Sequence, residues 1–376
     1  MARAGKRKKV AKASPAKRGA KKAAPKAVAR AKAAPATGPV TLDEARALAE
    51  AKQPKLAARA VRKTAAPPAS PAAVGAEREK LRKERRDERA RRISEYKATM
   101  EIMKRRGARR PRPKAAKAAD GEPTAKGGGS FDPLQIFAEG DSWFDYPVPF
   151  FGGGIIPRLE DRLGVPILNL AKAGDEVRYM LGVEEREVLA EHLTDGSPVG
   201  GAWDVLLFSG GGNDIVDNPM ALWVRDFNPA IPPAAHIHQA RFDAALALVR
   251  AGYEDLISLR DKISPTTHLV FHGYDFAIPD GRGICGFGPW LKPTFDLRKF
   301  PNRASMEAVV KAMLEQFAVM LTSLAGPTVT FINTQGTLVR QPSSWHNELH
   351  PARAGFGKFA DAFQLKLKAL FPDRVA

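Results

Sequence analysis

The stretch Phe137 to Pro147, FAEGDSWFDYP, decides how the rest of the chain is read. The apolar run just before it, Leu134 to Ala138, reads as a buried strand that leads straight into Gly140-Asp141-Ser142. Open α/β sheets place their ligands at the carboxyl ends of strands, and a glycine two residues ahead of a serine permits a sharp turn there. Ser142 is therefore the first candidate nucleophile. Asp and Ser after Gly are also ordinary loop and helix-cap residues. The functional reading thus requires a base and an oxyanion hole from elsewhere in the chain.

Outward from this stretch the pattern is regular. Apolar runs at 134–138, 166–170, 203–209, 267–272 and 328–332 predict five short buried strands. Between and after them, helical periodicity is found near 155–163, 176–193, 238–262, 303–324 and 353–370. Strict alternation predicts an α/β fold with right-handed crossovers and a parallel sheet covered on both faces. There is no internal repeat. Gly152-Gly153-Gly154 lacks the Lys-Ser/Thr of a phosphate-binding loop. Two connections, 214–237 and 273–302, are long for such a fold and follow strand ends, so both are expected to overhang the crevice. Their aromatics, among them Trp223, Phe227, Phe276 and Trp290, suit either an apolar substrate or packing of the loops onto the body.

Acyl transfer needs a nucleophile, a base in hydrogen-bond reach and donors aimed at the developing oxyanion. The predicted strand ends supply candidates for each. The second strand closes on Asn169 to Gly174, where Gly174 can bring a backbone N–H close to a ligand. The third closes on Ser209-Gly210-Gly211-Gly212-Asn213-Asp214, and the fifth is followed by Trp345-His346-Asn347-Glu348-Leu349-His350-Pro351. His350 is the candidate base, with His346, His268 and His272 as competitors. Gly174 can equally end a strand, and Asn213 can equally cap a helix. No His, Asp or Glu pair has convincing metal-ligand spacing, since Pro342 and Pro351 disfavour a helix through His346 and His350.

At these positions the chain resembles the SGNH hydrolase superfamily, the GDSL-type esterases and lipases. Gly140-Asp141-Ser142, Gly174, Gly211-Gly212-Asn213-Asp214 and Asn347-x-x-His350-Pro351 are similar to that group's four blocks, in the same order. The resemblance covers about 131–376 and implies a three-layer, flavodoxin-like α/β/α fold with a five-stranded parallel sheet. It implies Ser142 as nucleophile and His350 as base, and an oxyanion hole from the Ser142 and Gly174 N–H groups with the Asn213 side chain. It implies an ester substrate and no cofactor. Two residues depart from the pattern. Trp143 stands where the family has Leu, and Asn347 stands where it has the Asp that supports the histidine. An amide oxygen can hold the imidazole but brings no charge to stabilise the imidazolium. Asn347, Glu348 or a backbone carbonyl remain the alternatives for that support, and a rival reading is a nucleic-acid-associated binding protein whose hydrolase domain is inactive.

The remainder of the chain differs in kind. Residues 1–130 hold 38 Lys/Arg against 12 Asp/Glu, and residues 131–376 hold 22 against 29, so the net charge of +19 belongs to the first third. Residues 1–76, rich in Lys, Ala and Pro, are expected to be a disordered arm, with one short helix after the capping-box sequence Thr41-Leu42-Asp43-Glu44. Residues 77–106 predict a charged, solvated helix with one apolar end at Ile93, Tyr96, Met100 and Met103. Residues 107–130 read as a flexible linker ahead of the hydrolase domain, 131–376. The arm resembles the tails of histone H1-like proteins, which implies non-specific binding of nucleic acid or another polyanion by counterion release. A single cysteine, Cys285, fits a reducing compartment, and no run of about 18 apolar residues suggests a membrane span, so the cytoplasm is the expected location.

Overall fold

The computed structural model describes residues 38–51, 71–109, 130–146, 153–284 and 286–375. Its first elements are helix α1 (Leu42–Glu50), helix α2 (Pro71–Arg106) and a short antiparallel ribbon of β1 (Ala108–Arg109) with β2 (Ser130–Phe131). The five apolar runs then become β3 (Ile136–Gly140), β4 (Ile167–Asn169), β5 (Val205–Ser209), β6 (His268–His272) and β7 (Val329–Ile332). All are parallel, in the order β4-β3-β5-β6-β7. The chain therefore leaves β3 toward one edge, returns, and builds the other half from β5 onward. Such a reversal opens a crevice at the strand tips, the usual ligand site of doubly wound sheets. Ser142 sits two residues beyond the end of β3, at that reversal.

Helices cover both faces, as the alternation of side chains along β6 shows. Phe271 packs on Tyr253 of α7 (Gln239–Ile263), with ring centroids 5.0 Å apart. Its neighbour His272 points the other way, 5.5 Å from Phe363 of α10 (Arg353–Leu370). Helix α3 (Ile155–Leu163) packs beside α10, and α9 (Arg303–Thr322) beside α7. The α/β/α architecture expected from the sequence is the one found. The single helix expected over 176–193 is two, α4 (Val177–Met180) and α5 (Val183–Asp195), parted at Leu181-Gly182. The short helices α6 (Gly212–Ile215) and α8 (Lys292–Leu297) lie in the connections after β5 and β6.

Parts of the N-terminal region pack against the rest of the chain. The Thr41 capping box forms, with Glu44 N–H donating to the Thr41 hydroxyl at 3.4 Å and Thr41 N–H to Glu44 Oε2 at 2.9 Å. Residues Val40, Leu42, Ala45 and Ala49 are buried, and Val40 bridges to Ala108. Helix α2 starts six residues earlier than expected and is not solvated along its inner face, where Tyr96, Met100 and Met103 are buried and the Tyr96 ring lies 5.6 Å from that of Trp203. Apolar residues too sparse for a full helical stripe still suffice when only the last turns are covered. Most of the expected arm and linker, 1–37, 52–70 and 110–129, lies outside the described residues, as does Cys285. Among the described residues no helix is long and apolar enough to cross a membrane.

Candidate active site

The turn after β3 is built on a close approach. A Cβ on Gly140 would lie 2.6 Å from the Ser209 carbonyl oxygen on β5, so only glycine lets the two strand tips touch. Asp141 N–H then donates to that same carbonyl at 2.9 Å. The Asp141 carboxylate is fully enclosed. It accepts from Trp143 N–H (2.9 Å), the Ser209 hydroxyl (2.8 Å) and the Tyr274 hydroxyl, and Ser209 in turn contacts His272 Nε2 at 2.9 Å. Burial pushes Asp141 up to about 6 and His272 down to about 4. Side chains from the tips of β3, β5 and β6 are thus tied into one network beneath Ser142.

Above that network, Ser142 Oγ lies 2.6 Å from His350 Nε2, although 208 positions separate them. The protonation of the ring follows from its neighbours. Asn347 Oδ1 accepts the N–H groups of Leu349 (3.0 Å) and His350 (2.9 Å), and backbone N–H groups only donate, which fixes that atom as the amide oxygen. The same oxygen lies 2.9 Å from His350 Nδ1, so Nδ1 carries the ring proton and Nε2 offers its lone pair to Ser142. Asn347 is wholly buried, His350 is 6 % exposed and Ser142 8 %. Burial, with His346 nearby, pulls His350 down to about 3, so the ring stays neutral.

Glu348, the alternative support, is engaged elsewhere. Its Oε1 accepts the N–H groups of Gly281 (2.9 Å) and Lys292 (3.0 Å), and its Oε2 those of Trp290 (2.6 Å) and Leu291 (2.7 Å). One buried carboxylate therefore fixes the long connection after β6 against the His350 loop. Trp290 in that connection stands edge-on to His350, 5.9 Å between centroids.

Asn213 sits in the first turn of α6 but does not cap it; its Nδ2 donates to the Asp175 carbonyl at 2.9 Å. With Ser142 and His350 it lines a narrow cavity of about 40 Å³ whose other walls include Ile215, Leu291 and Met313. Gly174 is not among the cavity's lining residues. It lies next to Asp175 in the loop after β4, at φ +88° with open space where a Cβ would be, so its backbone angle rather than crowding requires glycine. Among the described residues neither the Ser142 nor the Gly174 N–H has an acceptor. Of the competing histidines, His268 pairs with Thr330 at 2.8 Å on the sheet, and His346 contacts the Tyr146 hydroxyl at 2.7 Å. In the 214–237 connection Trp223 packs on Phe242 of α7, while Phe227 stacks on His236 of the same connection and meets Phe300 of the 273–302 connection, so the aromatics tie this loop to α7 and the two long connections to each other.

Tyr146 was not singled out from the sequence. Its ring stacks on His350, 4.4 Å between centroids, and its hydroxyl accepts from Asn347 Nδ2 at 3.2 Å. It stands four residues beyond Ser142, but nothing in the sequence announces a contact across 204 positions.

No family model and no curated protein matches the chain. Solved structures that resemble it include the lipase Lip_vut3 from a goat rumen metagenome, at 16 % identity over 62 % of this chain and 96 % of that one, TM-score 0.41. An extracellular lipase from Streptomyces rimosus matches at 16 % identity over 62 % of this chain and 99 % of the other, TM-score 0.41. A carbohydrate esterase family 3 protein from Talaromyces cellulolyticus matches at 12 % identity over 64 % and 99 %, TM-score 0.38.

Proposed function

We propose that this protein is a serine hydrolase of carboxylic esters whose acyl group is small and apolar. The observation that carries the reading is the 2.6 Å contact between Ser142 Oγ and a His350 Nε2 that the Asn347 oxygen keeps unprotonated. In this reading Oγ attacks the ester carbonyl carbon while its proton passes to Nε2. The tetrahedral oxyanion is received by the Ser142 and Gly174 N–H groups and the Asn213 amide. Collapse breaks the bond to the alcohol, which leaves with the His350 proton, and water then releases the acyl group by the same route. The rival reading, a scaffold without turnover, has no use for an oriented base against a buried serine.

Acyl size follows from the cavity. An apolar cavity of about 150 Å³ takes up benzene, so the 40 Å³ between Ile215, Leu291 and Met313 favours a short acyl chain. A fluorophosphonate probe is expected to label the wild-type chain and not Ser142→Ala, and p-nitrophenyl acetate is expected to turn over faster than the octanoate. Absence of Ser142-dependent labelling would remove the reading; equal rates on both esters would remove the acyl assignment.

The polyanion tether is proposed for a smaller set of charges than the sequence suggested. Among the described basic side chains, Arg85, Arg89 and Arg92 are paired with carboxylates of the domain. What supports the tether is the Lys/Arg excess outside those pairs. DNA retention at low salt is expected to be lost on removing residues 1–37; retention by the shortened chain would refute it.

A further inference from the structure

Strand β4 is an edge strand, and the loop that leaves it carries Gly174. Edges expose unpaired backbone groups unless something covers them. Helix α2 does so with three arginines at positions 85, 89 and 92, which share one helical face. The Arg92 guanidinium donates through Nη1 to the carbonyls of Asn169 (2.9 Å) and Ala171 (3.1 Å) and through Nη2 to Asp145 Oδ1 (3.1 Å). Asp145 belongs to the turn that begins at Ser142: its N–H donates to the Asp141 carbonyl at 3.0 Å. One planar group therefore spans both loops that carry the proposed backbone oxyanion donors.

Two helical turns earlier, Arg85 pairs with Asp175 and, through Nε, with Glu185 at 3.1 Å, while Arg89 also holds Glu185. Gly174 thus lies between two anchored points, Ala171 and Asp175. Asn213, the third proposed donor, is attached to the Asp175 carbonyl. All three donors stand one short link from an arginine of α2. The three side chains are 16–23 % exposed; besides the carbonyls and carboxylates beyond α2, Arg92 donates through Nε to Glu88 of the same helix at 2.9 Å.

We infer that Arg92, assisted by Arg85, is a positioning residue of the hydrolase: α2 sets the separation of the Ser142 and Gly174 loops and thereby the width of the oxyanion hole. This rests on the hydrolase reading above. It also gives the charge-rich sequence of α2 a task in the catalytic domain. Donors serve a transition state only at the position the oxyanion will occupy, and loss of one donor costs about 10²–10³-fold in turnover. A shift of about 1 Å costs on the order of 10²-fold. Because the groups displaced contact the oxyanion and not the ester's acyl or alcohol portion, the change belongs in kcat.

The test uses the full chain and p-nitrophenyl acetate, with wild type, Ser142→Ala, Arg92→Lys and Arg92→Ala. Arg92→Lys keeps the charge but cannot fork to two carbonyls and a carboxylate. It is expected to lower kcat at least about 10-fold with KM within about 3-fold, at an unchanged melting temperature. Arg92→Ala is expected to lose about 100-fold, with partial recovery in millimolar guanidinium, which a misfolded chain would not show. Wild-type kcat in Arg92→Lys, or equal rises in KM that account for the whole loss, overturns the inference. A wild-type chain whose activity does not depend on Ser142 instead overturns the hydrolase reading.

Discussion

Ser142→Ala and His350→Ala are each expected to lower kcat for a small ester by about 10⁴–10⁶-fold, and the double variant to fall no further than about 3-fold below either. The reason lies in the shared proton. Without Oγ the imidazole has nothing to deprotonate, and without Nε2 the hydroxyl is a weak nucleophile at neutral pH. Groups that act as one unit give strongly non-additive losses, and what survives comes from the oxyanion donors and binding alone. Steady-state kinetics on the four proteins check it. Multiplicative losses would show that Ser142 and His350 act independently, whatever their 2.6 Å contact.

Asn347→Asp is expected to raise kcat by about 10- to 100-fold, or about 1.4–2.7 kcal/mol of barrier. In a serine protease the reverse change costs about 10⁴-fold, largely because the histidine adopts the wrong tautomer. Here the tautomer is already right, since the Asn347 oxygen is held toward Nδ1 by two backbone N–H donors. Only the missing negative charge is left to gain. The site can receive it: the second carboxylate oxygen would face the Tyr146 hydroxyl, 3.2 Å away, which can turn to donate. The same substitution predicts a pH signature. His350 held at about 3 keeps the base neutral, so kcat/KM from this group stays level as pH falls from 7 to about 4. A neighbouring carboxylate favours the imidazolium and raises that value, so the acid limb moves upward in Asn347→Asp. A pH profile of both proteins decides it; an unmoved limb would mean that position 347 does not act on the ring.

The sheet was legible because fully buried strands are short apolar runs and helices alternate with them. The first strand begins two residues later than expected: Gln135 N–H donates to the Asp204 side chain at 2.7 Å, and only its carbonyl reaches β5, accepting from Val205 N–H at 3.3 Å. Ser142, Asn213 and His350 could be named as candidates because each follows a predicted strand, and the structure brings the three to one cavity. Glu348 was not, because a carboxylate beside a histidine looks like its partner until the backbone N–H groups around it are seen. Helix α2 misled for a related reason. Arginines that reach across to Asp145, Asp175 and Glu185 have the same sequence as arginines that reach into water, and only their long-range partners tell them apart.

The grip of Glu348 on Gly281, Trp290, Leu291 and Lys292 is made entirely through main-chain amides. Any residue but proline presents the same amide, so at Trp290, Leu291 and Lys292 the grip itself demands no particular side chain, whereas Gly281, at φ +83°, is held to glycine by its backbone angle. A scaffold of that kind lets the lining of the cavity drift by ordinary point mutation, with Ser142 and His350 held still.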